Sequence, residues 1–119
     1  VRAIEHPLVD VIGHPTGRLI EKRPGYDVDM AAVIDAAAAA GTFLEVNGQP
    51  DRRDLNDVHA RAAAAAGVKL VLDSDAHRVA TLDRQRWAVA TARRAWLTPG
   101  DVANTLPWQR LDALRARGR

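Results

Sequence analysis

Residues 71–82, VLDSDAHRVATL, run a stretch that reads as a buried strand straight into Asp73, Asp75 and His77. A second run, VIGHPTGRLI, ends its apolar part at His14 and follows it with Arg18; a third, LEVNGQPDRR, carries Glu45, Asn47 and Arg52. Two imidazoles with one or more carboxylates suit Mn²⁺, Zn²⁺ or Fe²⁺, whereas carboxylates alone favour Mg²⁺ or Ca²⁺. The guanidinium groups of Arg18 and Arg52 are planar forks matched to phosphate oxygens. Metal-seeking and phosphate-seeking groups together point to metal-assisted phosphoester hydrolysis, with water activated by the ion as nucleophile. Each residue also has a plainer role. Asp75 can cap a following helix, Asp73 can be an internal hydrogen-bond acceptor, and His14, before a proline, can be a turn residue. Glu45 can be an ion-pair partner at the end of a sheet. His6 reads as a turn or helix-end residue, His59 as a partly exposed helix residue, Arg93 and Arg94 as a solvated helix face, and Trp87 and Trp96 as packing residues.

The elements that must position these groups follow from the change of hydrophobic period along the chain. Residues 8–13 read as a short strand stopped by His14-Pro15. Residues 29–40 read as a helix capped by Asp27 or Asp29 and closed by Gly41. Residues 42–47 form the next strand. Asp54 starts a second helix, with Asp57 as its capping-box partner and Gly67 at its end. Residues 68–73 form a third strand, and a third helix runs from about Leu82 to Trp96. Thr98-Pro99-Gly100-Asp101 is a further start signal, and Pro107 opens a last short helix that leads to a basic tail. The order βα-βα-βα-αα predicts a parallel sheet with right-handed crossovers, in which ligands gather beyond the carboxyl ends of the strands. His14, Glu45, Asn47, Arg52, Asp73, Asp75 and His77 all fall at that end. Three strands leave two outer edges unpaired, so the sheet is expected to belong to a larger sheet or barrel.

Composition sets outer bounds. The 119 residues suffice for one small core, and with aromatic residues at only 4% that core must be built from Val, Leu, Ile and Ala. The absence of cysteine excludes disulfides and thiolate metal sites and fits a cytoplasmic location. No apolar run approaches the roughly 20 residues that span a bilayer, and Val1-Arg2-Ala3-Ile4-Glu5 has no signal-peptide character. A formal net charge of +2 permits a phosphate-bearing partner without demanding one.

Taken together and in order, the blocks VIGHPTGRLI, LEVNGQPDRRDLND, DSDAHRV and ATARRAWL resemble the C-terminal part of the polymerase and histidinol phosphatase (PHP) family, and within it the PHP domain of bacterial family X DNA polymerases. The resemblance runs from about Leu8 to the last helix. It implies an α/β fold in which residues 1–119 are the C-terminal three βα units of a distorted (β/α)7 barrel plus C-terminal helices, with a trinuclear metal centre at the strand ends. His14 matches a late histidine ligand of that centre, and Asp75 and His77 match its closing D-x-H pair. Arg18 and Arg52 match basic positions near the site, with Arg18 steadying phosphate during catalysis. Glu45 and Asn47 match a motif at the barrel mouth and, with Asp73, would support the ligands from outside. The activity implied is 3′–5′ exonuclease-type hydrolysis of DNA phosphodiesters with Mn²⁺, or with Zn²⁺ or Fe²⁺.

The family's N-terminal H-x-H motif, and the glutamate and histidine that precede the HPTGR block, do not occur in this sequence. The chain alone is therefore expected to be inactive, and its partners are expected to be a DNA 3′ end or other phosphoester and the N-terminal half of the barrel, in cis or in trans. The rival readings are a histidinol-phosphatase-like enzyme acting on a small phosphomonoester, and a non-catalytic remnant or subunit.

Overall fold

The computed structural model describes residues 1–115, so the expected basic tail lies outside the described residues. Strands β1 (Val11–Ile12), β2 (Phe43–Asn47) and β3 (Leu70–Asp73) alternate with helices α1 (Met30–Ala40), α2 (Asp57–Ala65) and α3 (Gln85–Arg94), and α4 (Trp108–Arg115) closes the described chain. The three strands form one parallel sheet in the order β1-β2-β3. The α/β class and the parallel sheet are thus as expected, and the described residues form an open sheet.

Alternation along the strands separates two jobs. The register pairs Val11 with Phe43, Glu45 with Val71 and Asn47 with Asp73, which sets these six residues on one face. Ile12, Leu44, Val46, Leu70 and Leu72 take the other face and pack in the main core with Val33, Ile34, Ala37, Ala60, Ala63, Ala88 and Ala92. The alanine-rich helices make sense here: a methyl side chain lets a helix lie close to a sheet already filled with Leu and Val. The polar chemistry of β2, Glu45 and Asn47, therefore projects away from the helix core, although every residue of β2 is buried.

Helix α1 has the expected ends. The Asp29 side chain accepts from Ala32 N at 3.1 Å, and Gly41 adopts φ +72°, a left-handed conformation that glycine reaches without a Cβ penalty. Helix α2 does not. Asn56, not Asp54, is its cap, accepting from His59 N at 2.8 Å. The expected helix from Leu82 begins instead as a 3₁₀ turn over Val79–Arg84 before α3. Thr98 and Asp101 form the expected capping box, but it starts only a 3₁₀ turn, Pro99–Asp101. Strand β1 keeps two of its six expected residues: the chain still turns at His6–Val9, where Val9 N donates to His6 O at 3.0 Å, and Val11 and Ile12 are the residues in register with β2.

The two sheet edges also differ. The outer edge of β3 is covered: Leu70 bridges Val102, and the Asn104 side chain accepts from Leu72 N at 2.8 Å and donates to Leu72 O at 3.0 Å. One amide thus supplies the donor and acceptor that a neighbouring strand would offer. Among the described residues no strand pairs with the outer edge of β1.

Where β2 ends, Gly48 makes the closest approach in the sheet. A Cβ on Gly48 would stand 2.4 Å from Arg84 O and 2.6 Å from Asp73 O, both backbone atoms. Gly48→Ala is therefore expected to destabilise the chain by about 2 kcal/mol, read as a lower urea midpoint at unchanged m-value. An unchanged midpoint would mean that this approach is not tight in solution.

Candidate functional site

Beyond the C-terminal ends of the three strands the backbone turns sharply, and two of the expected ligands sit at the turns. His14 and Asp75 adopt φ +30° and +49°, a region that residues with a Cβ enter at a cost and mostly where surrounding contacts hold them. The His14 amide donates to Glu45 Oε2, which ties the end of β1 to β2. Asn47 Nδ2 donates to Glu45 Oε1 at 3.2 Å. The Glu45 side chain faces that of Asp73 across the pair of strands, and burial together with this second carboxyl pushes the Glu45 carboxyl up to about 8, against the His14 and Asn47 hydrogen bonds that favour its ionised form.

Asp75 is the meeting point on β3's side. Its amide donates to Asp73 Oδ1 at 3.0 Å, so Asp73 is the internal acceptor that its sequence position allowed. Its carboxylate lies 3.7 Å from Arg52 Nε and 3.8 Å from His77 Nδ1. His77 Nδ1 also stands 2.8 Å from Asp75 O. The His77 side chain is 82% exposed, so its outer nitrogen is open to a ligand arriving from solvent. Asp75 caps no helix: the 3₁₀ turn that follows is preceded by Arg78 and has no side-chain cap.

Arg18 reaches the loop that follows β2. Its Nε donates to Arg52 O at 2.9 Å and its Nη2 to Arg53 O, so part of its fork holds the loop that carries Arg52. Asp54 completes this zipper. Its Oδ2 accepts from Thr16 N at 3.0 Å, Thr16 Oγ1 at 2.9 Å and Gly17 N at 2.9 Å, while the residue is wholly buried. Beside it, not at the strand mouth, lies a cavity of about 280 Å³ lined by Thr16, Arg18, Tyr26, Asp54, Asn56 and His59.

The donors His14, Asp75 and His77 have the chemistry a divalent cation needs, but they do not close a site. Among the described residues no three His, Asp or Glu side chains stand close enough together to hold one. Just inside the mouth the buried Glu45 carboxyl stands beside the half-buried Asp73 carboxyl, a proximity that favours the protonated form of Glu45.

Three residues here carry roles that sequence reasoning missed. Gln49, Asp54 and Arg84 bind across long sequence distances, and none has a spacing signal. Gln49 stands within the LEVNGQPDRRDLND block with no residue type that marks its role, and Asp54 stands where a helix cap is expected. Trp96, taken as a packing residue, is 72% exposed with the Arg61 guanidinium 4.0 Å above its ring.

No protein-family model matches the chain. Individual relatives do. The chain is 38% identical over 115 residues to a DNA polymerase/3′-5′ exonuclease PolX of Bacillus subtilis, a match covering 97% of this chain and 20% of that protein. It is 32% identical over 111 residues to a probable phosphatase of Thermoanaerobacter sp. (strain X514), covering 88% of this chain and 43% of the relative. A probable phosphatase of Shewanella oneidensis is 31% identical over 124 residues, covering 99% and 47%. The chain thus spans a fifth of the polymerase and less than half of either phosphatase.

Proposed function

We propose, for a chain similar over nearly its whole length to a family X polymerase and to probable phosphatases, and so to the PHP family, that it forms one wall of a metal-dependent phosphoesterase site. In this reading it is the last three βα units of a distorted (β/α)7 barrel, residues 1–119 being a partial PHP domain. The supporting observation is that His14, Glu45, Asn47, Arg52, Asp73, Asp75 and His77 lie in or follow three parallel strands at the same end of the sheet. The bridged edge of β3, and an edge of β1 with which no strand pairs among the described residues, agree with further strands joining at β1.

His14, Asp75 and His77 are assigned as three ligands of a larger set, the others coming from the N-terminal half of the barrel in cis or in trans. A bound divalent ion, Mn²⁺ first and Zn²⁺ or Fe²⁺ otherwise, would polarise a phosphoryl oxygen and acidify water. Arg52 holds substrate phosphate, with Arg18 steadying it through the Arg52 carbonyl. Glu45, Asn47 and Asp73 fix the backbone at His14 and Asp75 and so keep these ligands aimed.

The substrate assigned is the 3′ end of DNA, because the polymerase relative is named for 3′-5′ exonuclease activity and matches with the highest identity of the three. The phosphatase relatives support a second reading, a small phosphomonoester. In the complete barrel, Mn²⁺-dependent removal of nucleotides from a 3′-recessed oligonucleotide should fall about a hundredfold in His77→Ala, at least the upper range for residues that merely support a ligand. Wild-type rates in that variant would remove His77 from the site. Faster turnover of a sugar or amino-alcohol phosphate than of the oligonucleotide would favour the second reading.

A further inference from the structure

Asp75 holds a left-handed conformation at the end of a strand, and something must keep it there. Its own amide is held by Asp73 Oδ1, but that contact lies within one turn and leaves the peptides on either side of Asp75 to be fixed from elsewhere. The Gln49 side chain does so from the neighbouring strand end. Its Nε2 donates to Ser74 O at 2.8 Å and to Asp75 O at 2.7 Å. Gln49 is itself held in place, directly and through its neighbour. Its backbone amide donates to Asn47 Oδ1 at 2.9 Å, its Oε1 accepts from Arg84 Nη1, and the adjacent Gly48 amide donates to Asp73 O at 2.9 Å. The path runs without a gap from Arg84, at the start of α3, through Gln49 to both carbonyls flanking the Asp75 α-carbon.

We infer that Gln49 is a positioning residue: its amide clasps the ends of β2 and β3 and sets the backbone from which the Asp75 carboxylate reaches the mouth. The inference rests on the reading of Asp75 as a metal ligand for its functional meaning, though not for its structural content. Arg84 orients the amide so that its nitrogen, not its oxygen, faces the two carbonyls, since a guanidinium can only donate.

Gln49→Glu isolates the clasp. It keeps the size and the acceptor for Arg84 but has no donor for Ser74 O and Asp75 O. Two readouts then separate positioning from charge. Hydrogen exchange at the Asp75 amide of the full chain should quicken about tenfold in Gln49→Glu, with Gln49→Asn restoring less than half of the protection. Mn²⁺ affinity of the complete barrel, read by the ion's magnetic resonance signal, should fall about tenfold, although the variant adds a negative charge near the cation. Electrostatics without positioning predicts the opposite sign. Unchanged exchange at Asp75 in Gln49→Glu overturns the clasp, as does Mn²⁺ binding as tight as wild type or tighter. Asp75→Asn tests the underlying reading separately. If, in the complete barrel, that variant binds Mn²⁺ like the wild type, the ligand assignment fails and the exchange data alone decide the clasp.

Discussion

Asp54→Ala should destabilise the chain by about 3–4 kcal/mol, a larger effect than any other single truncation in the loops around the mouth. The carboxylate is wholly buried and one of its oxygens accepts three hydrogen bonds, from Thr16 N, Thr16 Oγ1 and Gly17 N. Hydrogen bonds to a charged acceptor contribute about 1.5–3 kcal/mol each, and removing the acceptor leaves the donors to be rehydrated in a closed space. The contributions do not add in full, because the loop can relax and admit water. Denaturant unfolding measures the loss, and Thr16→Ala in both backgrounds gives the coupling between the pair. A coupling near zero would mean that Asp54 does not anchor the loop through Thr16. The consequence reaches the mouth: residues 16–20 lie against residues 51–54 through Asp54, through Arg18 on the Arg52 and Arg53 carbonyls, and through Ile20 N on Asp51 O at 2.6 Å. Loosening the loop frees the segment that carries Arg52.

The fate of Asp54 shows where sequence reasoning stops. An Asp before a helical pattern looks the same whether it caps that helix or reaches 37 or 38 residues back to a loop. The choice was made by Asn56, a second capping residue two positions later, which released Asp54 for long-range work. What local rules govern was legible: the strand–helix alternation, the Asp29 and Gly41 ends of α1, the Thr98–Asp101 box, and the gathering of polar residues at one end of parallel strands. Contacts without a period were not. The Asn104 amide that covers β3 belongs to no pattern, and of the two edges expected from strand count to be unpaired, that of β3 is bridged by Val102. The exposure of Trp96 also escaped, because a tryptophan's apolar area predicts burial and says nothing about an arginine arriving from α2. In the site, residue types and their strand-end location were readable, whereas the bonds that orient them, Gln49 on the β3 turn and Arg18 on the Arg52 loop, depend on side-chain directions that only the folded chain defines.

Glu45→Gln should abolish a loss of stability that the unmodified chain shows on going from acid to alkaline pH. Buried beside Asp73, Glu45 is pushed up to about 8 from an ordinary value of 4.5. The folded state therefore keeps this proton across a range in which the unfolded chain has released it. Stability from this group is complete below about pH 4.5, declines as pH rises, and is gone once pH has passed about 8. With about 1.4 kcal/mol for each tenfold change in proton affinity, the whole effect is of order 5 kcal/mol, comparable to the total stability of a small domain. Glutamine is neutral at every pH, can still accept from the His14 amide, and offers Asp73 a hydrogen bond in place of a second charge. Urea unfolding at pH 5 and pH 9 should show the unmodified chain several kcal/mol weaker at the higher pH and the variant nearly level, so that the variant is the more stable of the two at pH 9. Parallel curves for the two proteins would show that Glu45 is not the group responsible. The same scan with saturating Mn²⁺ tests whether the carboxyl pair has been left ready for a cation: an ion held near the ionised pair replaces the proton's favourable contribution, so the alkaline loss should shrink in the unmodified chain, whereas the glutamine variant has none to recover.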